Sequence, residues 1–162
     1  MNKKLIIALT IVAGMMVTTT AQAGGKCPQP RKTKSAPANI AKLAIPGGAD
    51  AAAGKTLYQK SAKPMACKMC HGAKGDGNGK LGKALKPNPR NFTCQDTVAD
   101  VSPGQMFWII KNGSKGTGMT AHGKSLSDKD IWNVIKYVRT DFLKEKESKQ
   151  VLKTRISAGN SN

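Results

Sequence analysis

A long amphipathic helix is predicted near the carboxyl end of the chain. The apolar positions that would form its buried face are three or four residues apart: Ile131, Val134, Ile135, Val138 and Phe142. Ser127 comes just before this run and Asp130 follows three positions later, a spacing typical of a capping box. We therefore predict that Ser127 caps the helix, although Glu or Gln is more usual at the position of Asp130.

A second helix is predicted from Asp50 to about Lys60. Asp50 is a suitable N-cap and Ala51–Ala53 are strong helix formers. Gly54 and Tyr58 are four residues apart and therefore share one face of this helix. Gly54 is either simply tolerated there or allows another helix to cross closely.

A third helix is predicted to begin at Ser102 and Pro103, because serine is a good N-cap and proline fits the first helical turn. It continues through the apolar stretch 106–110 and ends at Asn112-Gly113. No convincing alternation of apolar and polar residues predicts a β-strand. The expected fold class is therefore all-α.

The amino-terminal residues have the pattern of a secretory signal peptide. Lys3 and Lys4 form a positive region, Leu5–Val17 form a short apolar region, and Ala21-Gln22-Ala23 is a typical cleavage site. The apolar run is short for a membrane anchor. We therefore predict that residues 1–23 are removed and that the mature protein lies in the periplasm.

The remaining chain divides into three parts by composition. Residues 24–48 are rich in proline and lysine and predict an extended basic arm rather than a packed element. Residues 49–143 hold the predicted helices and form one small domain. Residues 144–162 form a charged tail that ends in Ser, Gly and Asn. The glycine-rich segment 72–79 is predicted to be a tight loop, because it follows no strand and lacks the ending of a phosphate-binding loop.

The net charge of the chain is +18, from 27 Lys and Arg against nine Asp and Glu. Such a charge suits docking to acidic partner proteins or to an anionic membrane surface, or it simply keeps the protein soluble. Nucleic acid is not an expected partner of an exported protein. Most of the positive residues are also lysines, which lack the planar fork of arginine.

The strongest chemical signal is Cys67-Lys68-Met69-Cys70-His71. Two cysteines three apart, followed at once by histidine, are typical of covalent haem c attachment. A thioredoxin-type pair would need a strand–helix–strand context, and a structural zinc site would need two more ligands nearby. Cys27 and Cys94 are too far away in sequence to form such a second pair. We hypothesise that these two form a disulfide, which an exported protein permits.

The ordered motifs resemble the class I c-type cytochromes over roughly residues 50 to 143. The matching features include Gly54 and Tyr58 before the haem motif, a proline-bearing loop after it, Gly116-Thr117-Gly118-Met119, and a last helix around Tyr137. The resemblance implies three to four helices around one covalently bound haem, with the first and last helices crossing. Thr120 departs from the family, which often has proline there.

The resemblance also implies roles for individual residues. Cys67 and Cys70 would form the thioethers, His71 would be the proximal iron ligand and Met119 the distal one. His122, three residues on, is the competing distal ligand. The carbonyl of Pro87 or Pro89 would accept a hydrogen bond from His71. The Trp108 indole would bind a haem propionate or fill the core, and Arg90 and Asn91 are weaker propionate candidates.

The function expected from these features is that of a monomeric periplasmic one-electron carrier that is not an enzyme. One alternative is a haem c electron-transfer subunit of a periplasmic oxidoreductase complex. Another is a haem enzyme or gas-binding protein with an open sixth iron position.

Overall fold

The computed structural model describes residues 27–29 and 33–144. The predicted signal peptide and all of the predicted tail except Lys144 lie outside the described residues. No helix within these ranges is both long and apolar enough to cross a membrane.

The described residues are helical and contain no β-strand, which confirms the all-α prediction. Three single turns of four residues each are α1 (Ala38–Ala41), α3 (Lys68–His71) and α4 (Gln95–Val98). The longer helices are α2 (Ala51–Thr56, continued as a π-helix over Leu57–Ser61), α5 (Pro103–Asn112) and α6 (Asp128–Tyr137, continued as a π-helix over Val138–Phe142). A 3₁₀ turn spans Gly82–Ala84. The described chain thus has more helices than the expected three to four, because single turns leave no periodic apolar pattern.

The three predicted N-caps are confirmed. The Asp50 side chain accepts hydrogen bonds from the N–H groups of Ala52 and Ala53 at 2.8 and 3.4 Å. Ser102 Oγ accepts from the Gln105 N–H at 3.1 Å. At α6, Ser127 and Asp130 form the full capping box. These side chains occupy N–H groups that have no partner within the helix.

Helices α2 and α6 cross at Gly54, as the resemblance implied. A Cβ atom at Gly54 would run into the backbone carbonyl of Asn133 in α6. The Asn133 side chain in turn accepts a hydrogen bond from the Asp50 N–H at 2.8 Å. One turn further along, the Tyr58 and Tyr137 rings meet edge to face, with centroids 5.4 Å apart. Glycine at this position is therefore required for close approach and is not merely tolerated.

The core lies between α5 and α6. Ile131 and Ile135 are completely buried, as the periodic pattern predicts. Trp132, which the pattern does not include, stacks on Phe107 with ring centroids 4.6 Å apart and planes 17° apart. Aromatic stacking across the two helices thus supplies part of a core that has few large apolar residues.

The described residues of the basic arm, 27–29 and 33–48, have no helix except α1 and are mostly exposed, but long-range contacts attach them to the domain, which the prediction of an unpacked arm did not include. Cys27 and Cys94 form a disulfide, which is the pairing hypothesised from the sequence. The turn α1 approaches α5 so closely that a Cβ at Gly104 would meet the Ile40 carbonyl. Ser102 Oγ also donates to the Ala41 carbonyl at 2.7 Å. These contacts join residues 60 or more positions apart, which a local sequence pattern cannot indicate.

Candidate functional site

Both cysteines of the predicted attachment motif lie on one helical turn. Cys67 immediately precedes α3, and the N–H groups of Cys70 and His71 both donate to its carbonyl, at 3.2 and 2.9 Å. Because residues three apart share a helix face, the two side chains lie on the same side of the turn. Both thiols are free. Burial raises the pKa of the Cys67 thiol to about 11.

The imidazole of His71 is held in one orientation by two contacts. Its Nδ1 lies 3.0 Å from the carbonyl oxygen of Arg90. A carbonyl can only accept, so Nδ1 carries the proton and Nε2 keeps the lone pair that a metal ion binds. The Phe92 ring stacks on the imidazole, with centroids 4.6 Å apart and planes 19° apart. The sequence analysis expected a loop carbonyl at His71 but did not anticipate the stacking of Phe92, which leaves no local pattern.

The carbonyl that orients His71 belongs to Arg90, so the prediction of Pro87 or Pro89 was wrong. The Pro89 carbonyl instead accepts a hydrogen bond from Gln29 Nε2 at 3.2 Å. A proline ring fixes its own φ but leaves ψ free. The sequence therefore shows that a rigid loop is present without showing which of its consecutive carbonyls faces the imidazole.

The glycine-rich segment folds back over α3. Three N–H groups in it or just after it donate to the last carbonyls of that helix: Gly77 to His71 at 2.8 Å, Gly79 to Cys70 at 3.1 Å and Leu81 to Met69 at 2.8 Å. The φ of Gly77 is +79°, and a Cβ there would lie 2.9 Å from the Pro89 carbonyl. The segment therefore supplies hydrogen-bond donors to the carbonyl groups at the end of α3. Because these N–H groups are used in this way, they do not form a phosphate-binding loop.

Tyr58 joins the first long helix to the same turn. Its buried hydroxyl donates to the carbonyl of Gly72, the residue after His71, at 2.9 Å. Burial raises the pKa of Tyr58 above its ordinary value, so the phenol stays protonated and remains a donor. The face shared by Gly54 and Tyr58 thus serves two purposes, helix crossing and support of the motif.

Met119 lies half-buried in the loop between α5 and α6. Its N–H donates to Thr117 Oγ1 at 3.1 Å, and its carbonyl accepts from the Ser114 N–H at 3.0 Å. A Cβ at Gly118 would lie 2.7 Å from the Leu85 side chain, so this loop packs against the segment that follows the motif. The backbone around Met119 is therefore shaped by its own hydrogen bonds.

His122, the competing distal ligand, has a structural contact of its own. The ring is buried, and its Nδ1 lies 2.7 Å from the carbonyl of Lys63. Ser125 Oγ donates to the same carbonyl at 2.6 Å. Lys63 leads into Cys67, so these bonds fasten the Met119 loop beside the attachment motif. The Nδ1 atoms of His122 and His71 thus both bond to a backbone carbonyl, and the choice between Met119 and His122 as distal ligand stays a prediction.

The three residues predicted to bind a haem propionate have other contacts in the structure. Trp108 is only half-buried, and Lys34 Nζ lies 5.8 Å from the centre of its ring, which argues against the core-filling alternative. Arg90 Nη2 donates to Thr33 Oγ1 at 2.9 Å. Asn91 Oδ1 accepts from Thr93 Oγ1 at 2.7 Å. Binding of a propionate by Trp108, Arg90 or Asn91 stays a prediction.

The residues around the motif fit a haem. Two free thiols share one side of a turn, and the neighbouring imidazole is oriented by the bond of its Nδ1 to the Arg90 carbonyl. Large apolar side chains near the motif are exposed, Met65 by 38% and Leu81 by 44%, and a flat apolar group would cover such surface. Among the described residues, no group of three or more His, Cys, Asp or Glu could hold a metal ion by itself.

Among known proteins, a family model agrees with this chemistry. A chain from the reducing HAO-like protein complex of Kuenenia stuttgartiensis is 25% identical, with a TM-score of 0.48. The match covers 60% of this chain and 49% of that one, so this chain spans about half the length of its solved relative. No curated protein matches the chain. The family model described as "Cytochrome C oxidase, cbb3-type, subunit III" matches residues 49–138, more than half of the 162 residues. The chain therefore belongs to this family of c-type cytochromes, whose domain binds haem c and transfers electrons.

Proposed function

We propose that the chain is a periplasmic one-electron carrier with a single haem c. The observation that carries this proposal is the fixed imidazole of His71 on the same turn as two free thiols. Haem c, when bound, supplies an iron that takes up and releases one electron. Cys67 and Cys70 would hold it through thioethers, and His71 would bind the iron through Nε2.

Met119 is the proposed second axial ligand. Its loop is fastened to Lys63 and to Leu85, on either side of the attachment motif in sequence. A thioether ligand beside histidine raises the reduction potential relative to more basic ligation. With both axial positions filled by the protein, no iron position remains for a substrate, which favours an electron carrier over an enzyme.

Absorption spectroscopy of variants tests the ligand set. Replacing Met119 with alanine should abolish the methionine–iron charge-transfer band of the oxidised protein and allow carbon monoxide to bind the reduced protein. Replacing it with histidine should lower the potential on the order of 0.2 V, within the range of about 0.8 V that axial ligands set. His122→Gln, the control, should keep the band. Absence of the band from the oxidised wild-type protein, or its survival in Met119→Ala, would contradict the assignment. A wild-type protein that binds carbon monoxide would favour the open-position alternative.

The periplasmic location is supported by two independent features. The sequence 1–23 has the pattern of a signal peptide, although it lies outside the described residues. The Cys27–Cys94 disulfide is of a kind that persists in oxidising compartments and is rare in the cytosol. Fractionation of cells that express the full chain, followed by haem staining, would test the location.

The excess of lysine leads to a prediction about partners. Lys74 and Lys83 are exposed close to the motif in sequence, and Lys68 lies within it. Electron exchange with a small acidic redox protein should slow about tenfold between low salt and about 0.2 M salt, because screening removes electrostatic steering. Stopped-flow kinetics would measure this. A small uncharged donor is the control and should show no salt effect. A rate of electron exchange with the acidic protein that does not change with salt concentration would contradict the proposed docking.

A second candidate is an electron-transfer subunit of a periplasmic oxidoreductase. The observation that favours it is the description of the matching family, which names an oxidase subunit. Purification of the tagged chain from its own cells distinguishes the two functions. A second chain that stays bound in stoichiometric amount through high salt would favour the subunit.

A further inference from the structure

Gln29, in the amino-terminal arm, bonds to the backbone on both sides of Arg90. Its Nε2 donates to the Pro89 carbonyl at 3.2 Å, and its Oε1 accepts from the Asn91 N–H at 2.8 Å. Gln29 itself is 7% exposed, so both bonds are shielded from water. The amide group therefore holds two successive peptide units, 89–90 and 90–91, and the second of these contains the Arg90 carbonyl.

The Arg90 carbonyl is the group that accepts the hydrogen bond from His71 Nδ1, at 3.0 Å. A change of a few tenths of an ångström in this carbonyl would change the strength and direction of that bond. The chain of contacts from Gln29 to His71 thus passes through one short piece of backbone.

The arm residue is itself held in place. Cys27, two residues before it, is bonded to Cys94, and the Gln29 N–H donates to Thr97 Oγ1 at 2.9 Å. On the other side, Arg90 Nη2 donates to Thr33 Oγ1 of the arm at 2.9 Å. Anchors on both sides make Gln29 a rigid support for the backbone at 89–91.

We infer that Gln29 is a positioning residue for the axial histidine, so that the basic arm tunes the reduction potential of the haem. This inference rests on the proposed ligation of iron by His71. A strong Nδ1–H···O=C bond makes the imidazole a better electron donor to a bound metal and favours the more oxidised state. Loss of the Gln29 amide would leave the Arg90 carbonyl less well held and would weaken its hydrogen bond with His71. The imidazole would then donate less electron density to the iron, so the reduction potential should rise.

The chain contains a matched control in Gln105. Like Gln29, this glutamine makes two hydrogen bonds to backbone through its side-chain amide. Its Oε1 accepts from the Ala36 N–H at 2.7 Å and its Nε2 donates to the Lys34 carbonyl at 3.0 Å. Its bonds are made to the arm, and none of them involves residues 89–91. Loss of the Gln105 amide therefore weakens arm packing without acting on the Arg90 carbonyl.

The experiment compares Gln29→Met with Gln105→Met in the haem-loaded full chain. Methionine keeps the length of the side chain and removes both hydrogen bonds. We expect Gln29→Met to shift the oxidised–reduced equilibrium about threefold toward the reduced form, about 30 mV for a one-electron couple. We also expect the His71 ring N–H of the reduced protein to exchange severalfold faster with solvent in NMR spectra. Gln105→Met should change neither quantity.

The inference would be overturned if Gln29→Met left the potential and the exchange rate at their wild-type values. It would also be overturned if Gln29→Met and Gln105→Met changed these quantities by the same amount. If Gln29→Met fails to load haem, Gln29→Asn, which keeps the amide on a shorter stem, must shift both quantities in the same direction. Failure of the proposed function would already be visible in the wild-type protein as a spectrum without histidine ligation. Failure of this inference alone would leave the wild-type spectrum intact.

Discussion

Replacing Gly54 with alanine should lower the free energy of unfolding by about 3 kcal/mol or more. The added methyl group would run into the Asn133 carbonyl, where α2 and α6 cross. Overpacking a tight core usually costs about 1–3 kcal/mol, and a contact with helix backbone has little room to relax. Asn133 is further restrained by its side-chain bond to the Asp50 N–H at 2.8 Å. We therefore expect a value at or above the top of that range.

Gly48→Ala is the matched control, because a Cβ at Gly48 would have no heavy atom within 4 Å. This variant should unfold within about 0.5 kcal/mol of the wild type. Urea titrations of the haem-loaded proteins, followed by far-UV circular dichroism, would measure both values. Equal stability of Gly54→Ala and Gly48→Ala would show that the helices can separate at the crossing without penalty.

Removing the Cys27–Cys94 disulfide should cost about 4 kcal/mol of stability. The two cysteines are 67 residues apart, and a crosslink that closes a loop of this length restricts the unfolded chain by about that amount in the chain-entropy account. The double variant Cys27→Ala/Cys94→Ala leaves no unpaired thiol behind. Urea unfolding of the haem-loaded protein would measure the loss.

Chemical reduction of the wild type provides an internal check. Thioethers to haem resist thiol reductants, so dithiothreitol should open only the disulfide and reproduce the destabilisation of the double variant. A loss below about 1 kcal/mol in both experiments would contradict the expectation. It would mean that the arm's hydrogen bonds, such as that of Ser102 Oγ to the Ala41 carbonyl, hold the fold without the crosslink.

Features that depend on neighbouring residues could be predicted from the sequence. Asp50, Ser102 and Ser127 each cap a helix where expected, because an N-cap is decided within about four residues. The periodic apolar face of α6 likewise identified Ile131 and Ile135 as core. Haem attachment was predicted from five consecutive residues, and the family match supports it.

The arm's hydrogen bonds and the direction of the loop carbonyls depend on distant residues and could not be predicted, whereas the Cys27–Cys94 disulfide was. The arm was expected to be extended because its prolines and lysines carry no periodic signal, yet Gln29 bonds to Asn91, 62 residues away. The acceptor for His71 was misplaced because the direction of a carbonyl depends on backbone torsions that the residue types leave open. Met119 was identified through the family resemblance, and its role as a ligand remains a proposal.

The attached arm means that the folding unit begins earlier in the chain than the matched family region does. A fragment cut at residue 49, where the family match starts, would leave Cys94 as an odd thiol able to crosslink two molecules. It would also remove the Gln29 oxygen that accepts a hydrogen bond from the Asn91 N–H. A fragment that preserves the described contacts of the arm therefore starts no later than Cys27.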